Sequence, residues 1–125
     1  MSPEALGGMV RAERDLAVAA NVIDDLPDVA ARHAYMAAYR AAQAFLFERT
    51  GRVAKTDRGV QSEFSRLVKD IPDLSARFAS FLGRAYRYKE IADYGADPAR
   101  DIPPDQAREA LATARAFVAW LRGLV

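Results

Sequence analysis

Apolar side chains recur at three- and four-residue steps along most of the chain, which is the spacing of one face of an α-helix. The first such segment runs from Pro3 to about Leu26 and the second from there to about Thr50, with Gly51 placed as a C-terminal cap. The second segment is rich in alanine. Because small side chains let a neighbouring helix approach closely, we expect this helix at the centre of a bundle.

Two shorter helices are predicted beyond Gly51. Thr56 is a suitable N-cap for a third helix, and Pro72 ends it. A fourth helix begins at Asp73 or Ser75 and ends at Gly95.

Residues 96–104 contain three prolines and are predicted to form a loop. A fifth helix follows from Pro104 to about Arg122. No segment alternates β-branched and polar side chains, so strands are not expected. The sequence therefore predicts an all-α fold, a five-helix up-and-down antiparallel bundle, in a single domain spanning residues 1–125.

The fourth predicted helix has two faces of different character. At about 100° of rotation per residue, Gly83, Arg87, Glu90 and Tyr94 share an arc about 60° wide. The opposite side is apolar and suits a core; it carries Phe78, Phe81, Leu82, Ala85 and Ala92. A cation, a carboxylate and a phenol on one face make that face the expected functional site.

The composition excludes several classes of site. There is no cysteine, so disulfides, thiolate metal sites and cysteine nucleophiles are excluded, and His33 is the only histidine. No metal and no cofactor are expected. No apolar run approaches the length of a membrane span, and no export signal is evident at the N-terminus, so we expect a cytoplasmic protein.

The net charge of +1 conceals an uneven distribution. Residues 49–89 carry ten basic and four acidic side chains, whereas both flanking segments are acidic overall. A basic centre can attract a polyanion, and we take Lys55, Arg58, Arg84, Arg87 and Glu90 as candidate phosphate-binding residues. The alternative is that these charges form a solvated face with intramolecular ion pairs.

Two further residue types have a structural and a functional interpretation. His33 lies among alanines on the second helix, where a hydrogen-bonded structural histidine is the more common case and a functional base the less common one. The five tyrosines are either platforms for base stacking or residues at the core boundary with their hydroxyls in water; they are Tyr35, Tyr39, Tyr86, Tyr88 and Tyr94.

Three stretches together resemble a known family. They are K-T-D-R-G-V at residues 55–60, R-Y-K-E-I-A-D-Y-G at 87–95 and A-Y-R-A-A-Q-A-F-L at 38–46. In their order along the chain they resemble the HEPN-domain family (higher eukaryotes and prokaryotes nucleotide-binding), especially its small stand-alone bacterial members. The resemblance extends from about Ala34 to Trp120.

The resemblance implies an all-α bundle that commonly forms a homodimer, with a site where equivalent polar faces meet. Many members are metal-independent ribonucleases, or toxins paired with a small nucleotidyltransferase antitoxin. Their signature is an arginine followed after about four to six residues by a histidine. Arg87 matches the arginine, whereas Asp93 stands at the histidine position and is followed by Tyr94. Similar relatives also often carry a histidine where this chain has Asp57 and Arg40.

These departures bear on catalysis. RNA cleavage through the 2′-hydroxyl needs an acid and a base that work near neutral pH, which imidazole satisfies and an ordinary aspartate, with a pKa of about 3.9, does not. Arg87, Asp93 and Tyr94 are therefore the candidate catalytic residues of an enzyme whose ribonuclease activity is lost or weak. Arg87 can still bind a phosphate.

The leading hypothesis is thus a HEPN-like protein that engages RNA, a nucleotide or a nucleotidyltransferase partner, as the toxin-like half of a toxin-antitoxin pair. If it is active, it is a metal-independent endoribonuclease. The competing hypothesis is a purely structural interaction or dimerisation module, in which Arg87 pairs with Glu90 or Asp93 and no nucleic acid is bound.

Overall fold

The computed structural model describes residues 1–71, 75–94 and 102–124. These residues form six helices: α1 (Pro3–Val22), α2 (Pro27–Thr50), α3 (Asp57–Val68), α4 (Ser75–Arg84), α5 (Tyr86–Tyr94) and α6 (Pro104–Leu124). The described ranges contain no strand, and the predicted all-α bundle is confirmed. All five predicted helices are present, the fourth being divided at Ala85. The predicted stops at Pro72 and Gly95 and most of the proline loop lie outside the described residues.

Two hydrogen bonds and one glycine conformation explain three of the helix boundaries. The Ser2 hydroxyl accepts a hydrogen bond from the Ala5 N–H (3.2 Å) at the start of α1. The predicted cap Thr56 accepts one from the Gly59 N–H (3.0 Å) at the start of α3. Gly51 ends α2 with a φ of 71°, a left-handed conformation that favours glycine.

Helix α2 lies at the centre of the bundle and contacts all five other helices. Its alanines are almost completely buried; they are Ala30, Ala31, Ala34, Ala37, Ala38, Ala41, Ala42 and Ala44. The α1 helix runs antiparallel to α2, because Ser2 contacts Glu48 near one end of the pair and Asp15 contacts His33 nearer the other. The predicted central position of the alanine-rich helix is therefore observed.

Helices α1 and α2 approach each other closely at Gly8. A Cβ atom at this position would lie 2.9 Å from the Cβ atom of Ala44, whereas nothing lies within 4 Å of a Cβ atom at Gly7. We expect Gly8→Ala to lower the free energy of unfolding by about 1–3 kcal/mol, because the two helices must move apart. Gly7→Ala, the control on the same helix, should raise it by about 0.5–1 kcal/mol. Urea denaturation measures both, and a stabilised Gly8→Ala protein would contradict the close contact.

Phenylalanines join α3, α4 and α6 in the second half of the core. The Phe117 ring of α6 lies 5.2 Å from both the Phe64 and Phe78 rings and 6.5 Å from the Phe81 ring, measured between centroids. All four side chains are buried. Because Phe78 also contacts Trp120 near the end of α6, the α4 and α6 helices run antiparallel. This packing fixes the position of the α4–α5 segment on the bundle.

The fourth predicted helix is interrupted at Ala85 and forms two helices, α4 and α5. The Tyr88 N–H donates to the Ala85 carbonyl (2.9 Å), three residues back, which is a tighter turn than the α-helical bond over four residues. Gly83 consequently lies on α4, whereas Arg87, Glu90 and Tyr94 of the predicted polar arc lie together on α5. The apolar side is retained, since Phe81, Leu82 and Ala85 are buried.

Candidate functional site

A polar cluster lies where α2, α3 and α5 meet, a site referred to below as the α2/α3/α5 junction. Asp57, in the first turn of α3, accepts a hydrogen bond from the Tyr35 hydroxyl of α2 through Oδ1 (2.6 Å). Its Oδ2 atom pairs with the Lys89 Nζ of α5 (3.0 Å). Thr56 is the N-cap of α3 and Asp57 is its first residue, so the Asp57 carboxylate also lies at the positive end of the helix dipole. One carboxylate therefore joins three helices.

Burial and charge shift the titration of this cluster. Desolvation, followed by the hydrogen bond to Asp57, raises the pKa of Tyr35 far above its ordinary value. Desolvation also raises the pKa of Tyr39. The hydrogen bond to Asp57 raises the pKa of Lys89 and so favours its charged form. At neutral pH the junction therefore holds two protonated phenols and an ion pair.

The raised pKa of Tyr35 predicts a stability change at alkaline pH. The unfolded chain loses the phenolic proton above about pH 10, whereas the folded protein retains it, so stability falls as the pH rises beyond that value. The Tyr35 contribution should fall by about 1.4 kcal/mol per pH unit there and stay constant below pH 10. Urea titrations of wild type and Tyr35→Phe between about pH 8 and 11 measure it. Parallel stability curves for the two proteins above pH 10 would contradict the assignment.

A second ion pair joins α5 to α2 beside this cluster. The Arg32 Nε atom lies 2.6 Å from Asp93 Oδ1. On α5, Tyr86, Lys89 and Asp93 follow one another at three- and four-residue steps, which places them on one side of that helix. That side faces α2 and α3, because Tyr86 stacks near Tyr35 with centroids 5.8 Å apart. Asp93 is therefore part of the junction and is already paired.

Arg87 lies on another face of α5. It is exposed, and its guanidinium carbon is 5.1 Å from the centroid of the Tyr88 ring. Six residues of helix separate Arg87 from Asp93, which corresponds to about 120° around the axis. Glu90 is also exposed. Tyr94 is the last residue of α5, and its side chain lies outside the described residues.

The other predicted phosphate-binding residues surround the junction or flank it. Lys55 and Arg58 are exposed on either side of Asp57. The Lys55 carbonyl accepts a 3.4 Å hydrogen bond from the Tyr39 hydroxyl, which holds this segment against α2. Arg84 is exposed at the end of α4, with its guanidinium carbon 5.4 Å from the Phe81 ring centroid.

For some of the tyrosines, burial decides between a base-stacking platform and a residue of the core. Tyr35 and Tyr88 are buried and are therefore core residues without a free face for base stacking. Tyr39 and Tyr86 are half-buried at the junction. His33 lies on the opposite flank of α2, where its Nδ1 atom is 3.0 Å from Asp15 Oδ1, consistent with the hydrogen-bonded structural role.

Sequence reasoning missed Tyr35 and Lys89 as members of the site. The sequence offered two signals. One was Asp57 within K-T-D-R-G-V, where similar relatives often carry a histidine, and the other was the spacing between Lys89 and Asp93. Neither signal shows that residues 22 and 32 positions away along the chain bind the same carboxylate. That pairing depends on how α3 and α5 pack on α2.

The chemistry available at the junction is cationic and phenolic. Lys89 and Arg32 are each paired with a carboxylate, and Lys55 and Arg58 add exposed positive charge. Guanidinium and ammonium groups are the usual protein ligands of phosphate. Both carboxylates that stand at expected histidine positions, Asp57 and Asp93, form ion pairs. Among the described residues no group of three or more His, Cys, Asp or Glu side chains could hold a metal ion.

Comparisons with known proteins bear on the family. No helix within the described ranges has the length and apolar character needed to cross a membrane. A comparison with curated proteins finds no match. A family model described as HEPN domain matches residues 9–124, which include both aspartates of the junction. With nearly its whole length matched, and with an all-helical bundle, the chain belongs to the HEPN domain family.

Proposed function

We propose that this HEPN domain protein binds the phosphate groups of RNA or of a nucleotide at the α2/α3/α5 junction, and that its ribonuclease activity is lost or weak. The family points to a nucleotide-, RNA- or toxin-related role. The observation that supports this choice is the state of the two aspartates at the expected histidine positions. Asp57 is held by Tyr35 and Lys89, and Asp93 is held by Arg32.

Paired carboxylates are poor catalysts of proton transfer at neutral pH. Proton transfer needs a group that can reach the substrate, and these two aspartates are already bonded to Tyr35, Lys89 and Arg32. The one imidazole of the chain, His33, is bonded to Asp15 on the other flank of α2. Phosphate binding needs only the fixed cations, so binding is retained where turnover is lost.

The basic residues define how a phosphate chain would lie. Lys55 and Arg58 are exposed beside the junction, where a backbone phosphate can reach them. Arg84, Arg87 and Glu90 form the more distant part of the proposed site, with Arg87 as the bidentate phosphate ligand. Should any activity remain, Arg87, Asp93 and Tyr94 are its proposed residues in a metal-independent endoribonuclease.

The test measures binding and cleavage separately. A labelled oligouridylate of about 12 nucleotides is mixed with the protein at low salt in the presence of a chelator. We expect a salt-dependent anisotropy signal and intact RNA on a denaturing gel. Lys55→Ala/Arg58→Ala should weaken binding about tenfold, because two phosphate contacts are removed.

Two controls make the result interpretable. Arg66→Ala/Lys69→Ala removes the same charge from exposed positions on the far part of α3 and should change the affinity less than about threefold. Cleavage that persists with the chelator and disappears in Arg87→Ala would show that turnover has survived. Absence of any binding would reject the RNA proposal.

The oligomeric state and the protein partner are further parts of the proposal. We propose a homodimer that acts as the toxin-like half of a toxin-antitoxin pair with a small nucleotidyltransferase. The supporting point is the family, in which such pairs are common. A small nucleotidyltransferase gene next to this one, and co-purification of the two products, would support it. Light scattering that gives a monomer at micromolar concentration would contradict the dimer.

A second candidate is a structural interaction module without a nucleic-acid ligand. It is favoured by the pairing of both carboxylates at the junction: Asp57 has two partners, and Arg32 and Asp93 pair with each other. In this case Arg32 and Lys89 stabilise the packing of α5 on α2 and α3 and bind no ligand. Lys55→Ala/Arg58→Ala would then leave any RNA signal unchanged, because it would not arise at the junction.

A further inference from the structure

A second basic groove lies between α1 and α2, on the other flank of α2 from the junction. It encloses about 400 Å³ and is lined by Arg11, Arg14, Asp15, Val18, His33 and Arg40. Three arginines face one aspartate, so the groove carries excess positive charge before His33 is considered. Arg40 stands where similar relatives often carry a histidine, whereas Arg11, Arg14 and Asp15 lie outside the three stretches that carry the family resemblance.

Asp15 organises this groove. Its side chain is buried, with 7% exposed, and both carboxylate oxygens are in use. Oδ1 contacts His33 Nδ1 at 3.0 Å, and Oδ2 accepts a 2.6 Å hydrogen bond from Arg40 Nη1. The aspartate thus holds an imidazole and a guanidinium in fixed positions, while 36% of the Arg40 side chain remains exposed. Such an arrangement reduces the entropy that a ligand must overcome in ordering them.

The remaining two arginines supply charge that Asp15 does not neutralise. Arg11 and Arg14 are exposed on α1, one turn before and immediately before Asp15. The ion-pair partners of Asp15 are His33 and Arg40. Neither forms an ion pair with another described residue. Guanidinium groups of this kind form bidentate hydrogen bonds with phosphate.

The groove and the junction lie side by side along α2. Arg32 pairs with Asp93 of α5, and the next residue, His33, contacts Asp15 of α1. Tyr39 and Arg40 repeat this arrangement two turns further along, since Tyr39 contacts the Lys55 carbonyl and Arg40 contacts Asp15. Successive residues are about 100° apart around an α-helix, so the two sites lie on neighbouring faces of α2.

We propose that the groove formed by Arg11, Arg14, His33 and Arg40 binds backbone phosphates of the same RNA strand that the junction holds. This inference rests on the proposed function. The strand crosses the half-exposed surface of α2, so the protein contacts more phosphates than the junction alone could. Charge favours a polyanion, and guanidinium groups, of which Asp15 holds that of Arg40, favour phosphate over a more diffuse acidic surface.

The experiment compares two double variants with the labelled oligouridylate of about 12 nucleotides. Arg11→Ala/Arg14→Ala should raise the Kd about tenfold and reduce the slope of log K against log salt by about 1.4 between about 50 and 200 mM KCl. The control, Arg66→Ala/Arg115→Ala, removes the same charge from exposed positions on α3 and α6 and should leave both quantities nearly unchanged. Circular dichroism checks that each variant is folded.

The outcomes separate this inference from the proposed function. If the wild type binds RNA and Lys55→Ala/Arg58→Ala weakens it, but Arg11→Ala/Arg14→Ala does not, only the groove assignment fails. An equal loss in the control would show general charge attraction and would also overturn it. So would an oligoglutamate peptide that displaces the RNA at equal concentration, which would identify an acidic protein as the ligand. A wild type that binds no RNA rejects both proposals.

Discussion

Replacing Phe117 by alanine is expected to lower the free energy of unfolding by about 3–5 kcal/mol. Phe117 is completely buried and contacts aromatic rings from α3 and α4, so its removal leaves a cavity at the point where three helices meet. The surrounding rings are large and rigid and cannot fill that space without leaving their own packing positions. The midpoint of thermal unfolding should fall by about 10–20 °C.

Phe47→Ala is the matched control for Phe117. Phe47 is half-buried on α2 and lines a surface groove, so truncating it leaves no closed cavity. We expect a loss of about 1 kcal/mol or less. Urea denaturation with far-ultraviolet circular dichroism measures both variants. Similar losses for the two phenylalanines would contradict the central position of Phe117.

Replacing Asp57 by alanine is the second change with a large expected effect. The Tyr35 hydroxyl would lose its acceptor inside the core, and Lys89 would lose its counter-ion. Leaving a buried donor unsatisfied costs about 1–3 kcal/mol, and breaking a part-buried ion pair adds to this. We expect a total loss of about 2–4 kcal/mol, measured by urea denaturation at neutral pH.

Asp57→Asn separates the two contributions. The amide oxygen can still accept the hydrogen bond from Tyr35, whereas the charge opposite Lys89 is removed. The loss should be about half that of Asp57→Ala. In a double-mutant cycle, Tyr35→Phe and Asp57→Ala should be non-additive, because both remove the same hydrogen bond. Additive losses would show that Tyr35 and Asp57 do not interact in solution.

The Asp57→Asn protein also discriminates between the two candidate functions. Removing a negative charge from a phosphate-binding junction should strengthen RNA binding, since the repulsion between carboxylate and phosphate disappears. In a purely structural module the same change only weakens the packing of α5. The protein for this comparison must be folded, which the denaturation curve establishes independently.

Periodicity in the sequence determined the helices and their order. The alanine-rich character of α2 predicted its central position, and Thr56 and Gly51 predicted two boundaries. These features are local, because caps and apolar faces depend on residues within one or two turns. The break at Ala85 was missed, since the sequence there has no proline and the helical spacing of apolar residues continues through it.

The location of the candidate site could be predicted only in part. The resemblance of three stretches identified the family and drew attention to Asp57 and Asp93, and both lie at the junction. The sequence also grouped Arg87 with Asp93, although about 120° of helix rotation separates them. The side chain of Tyr94 lies outside the described residues, so its role stays a prediction.

The amino-acid sequence by itself thus determined an all-α bundle of the HEPN family and the residue types available for its chemistry, because periodicity, caps and composition are properties of the chain. The tertiary structure alone decided which of these residues meet. Asp57 is joined to Tyr35 and Lys89, and Asp15 to His33 and Arg40, by side chains that are distant in sequence and adjacent only after the helices have packed. Such pairings depend on which helix faces are buried together, and no local pattern encodes that choice.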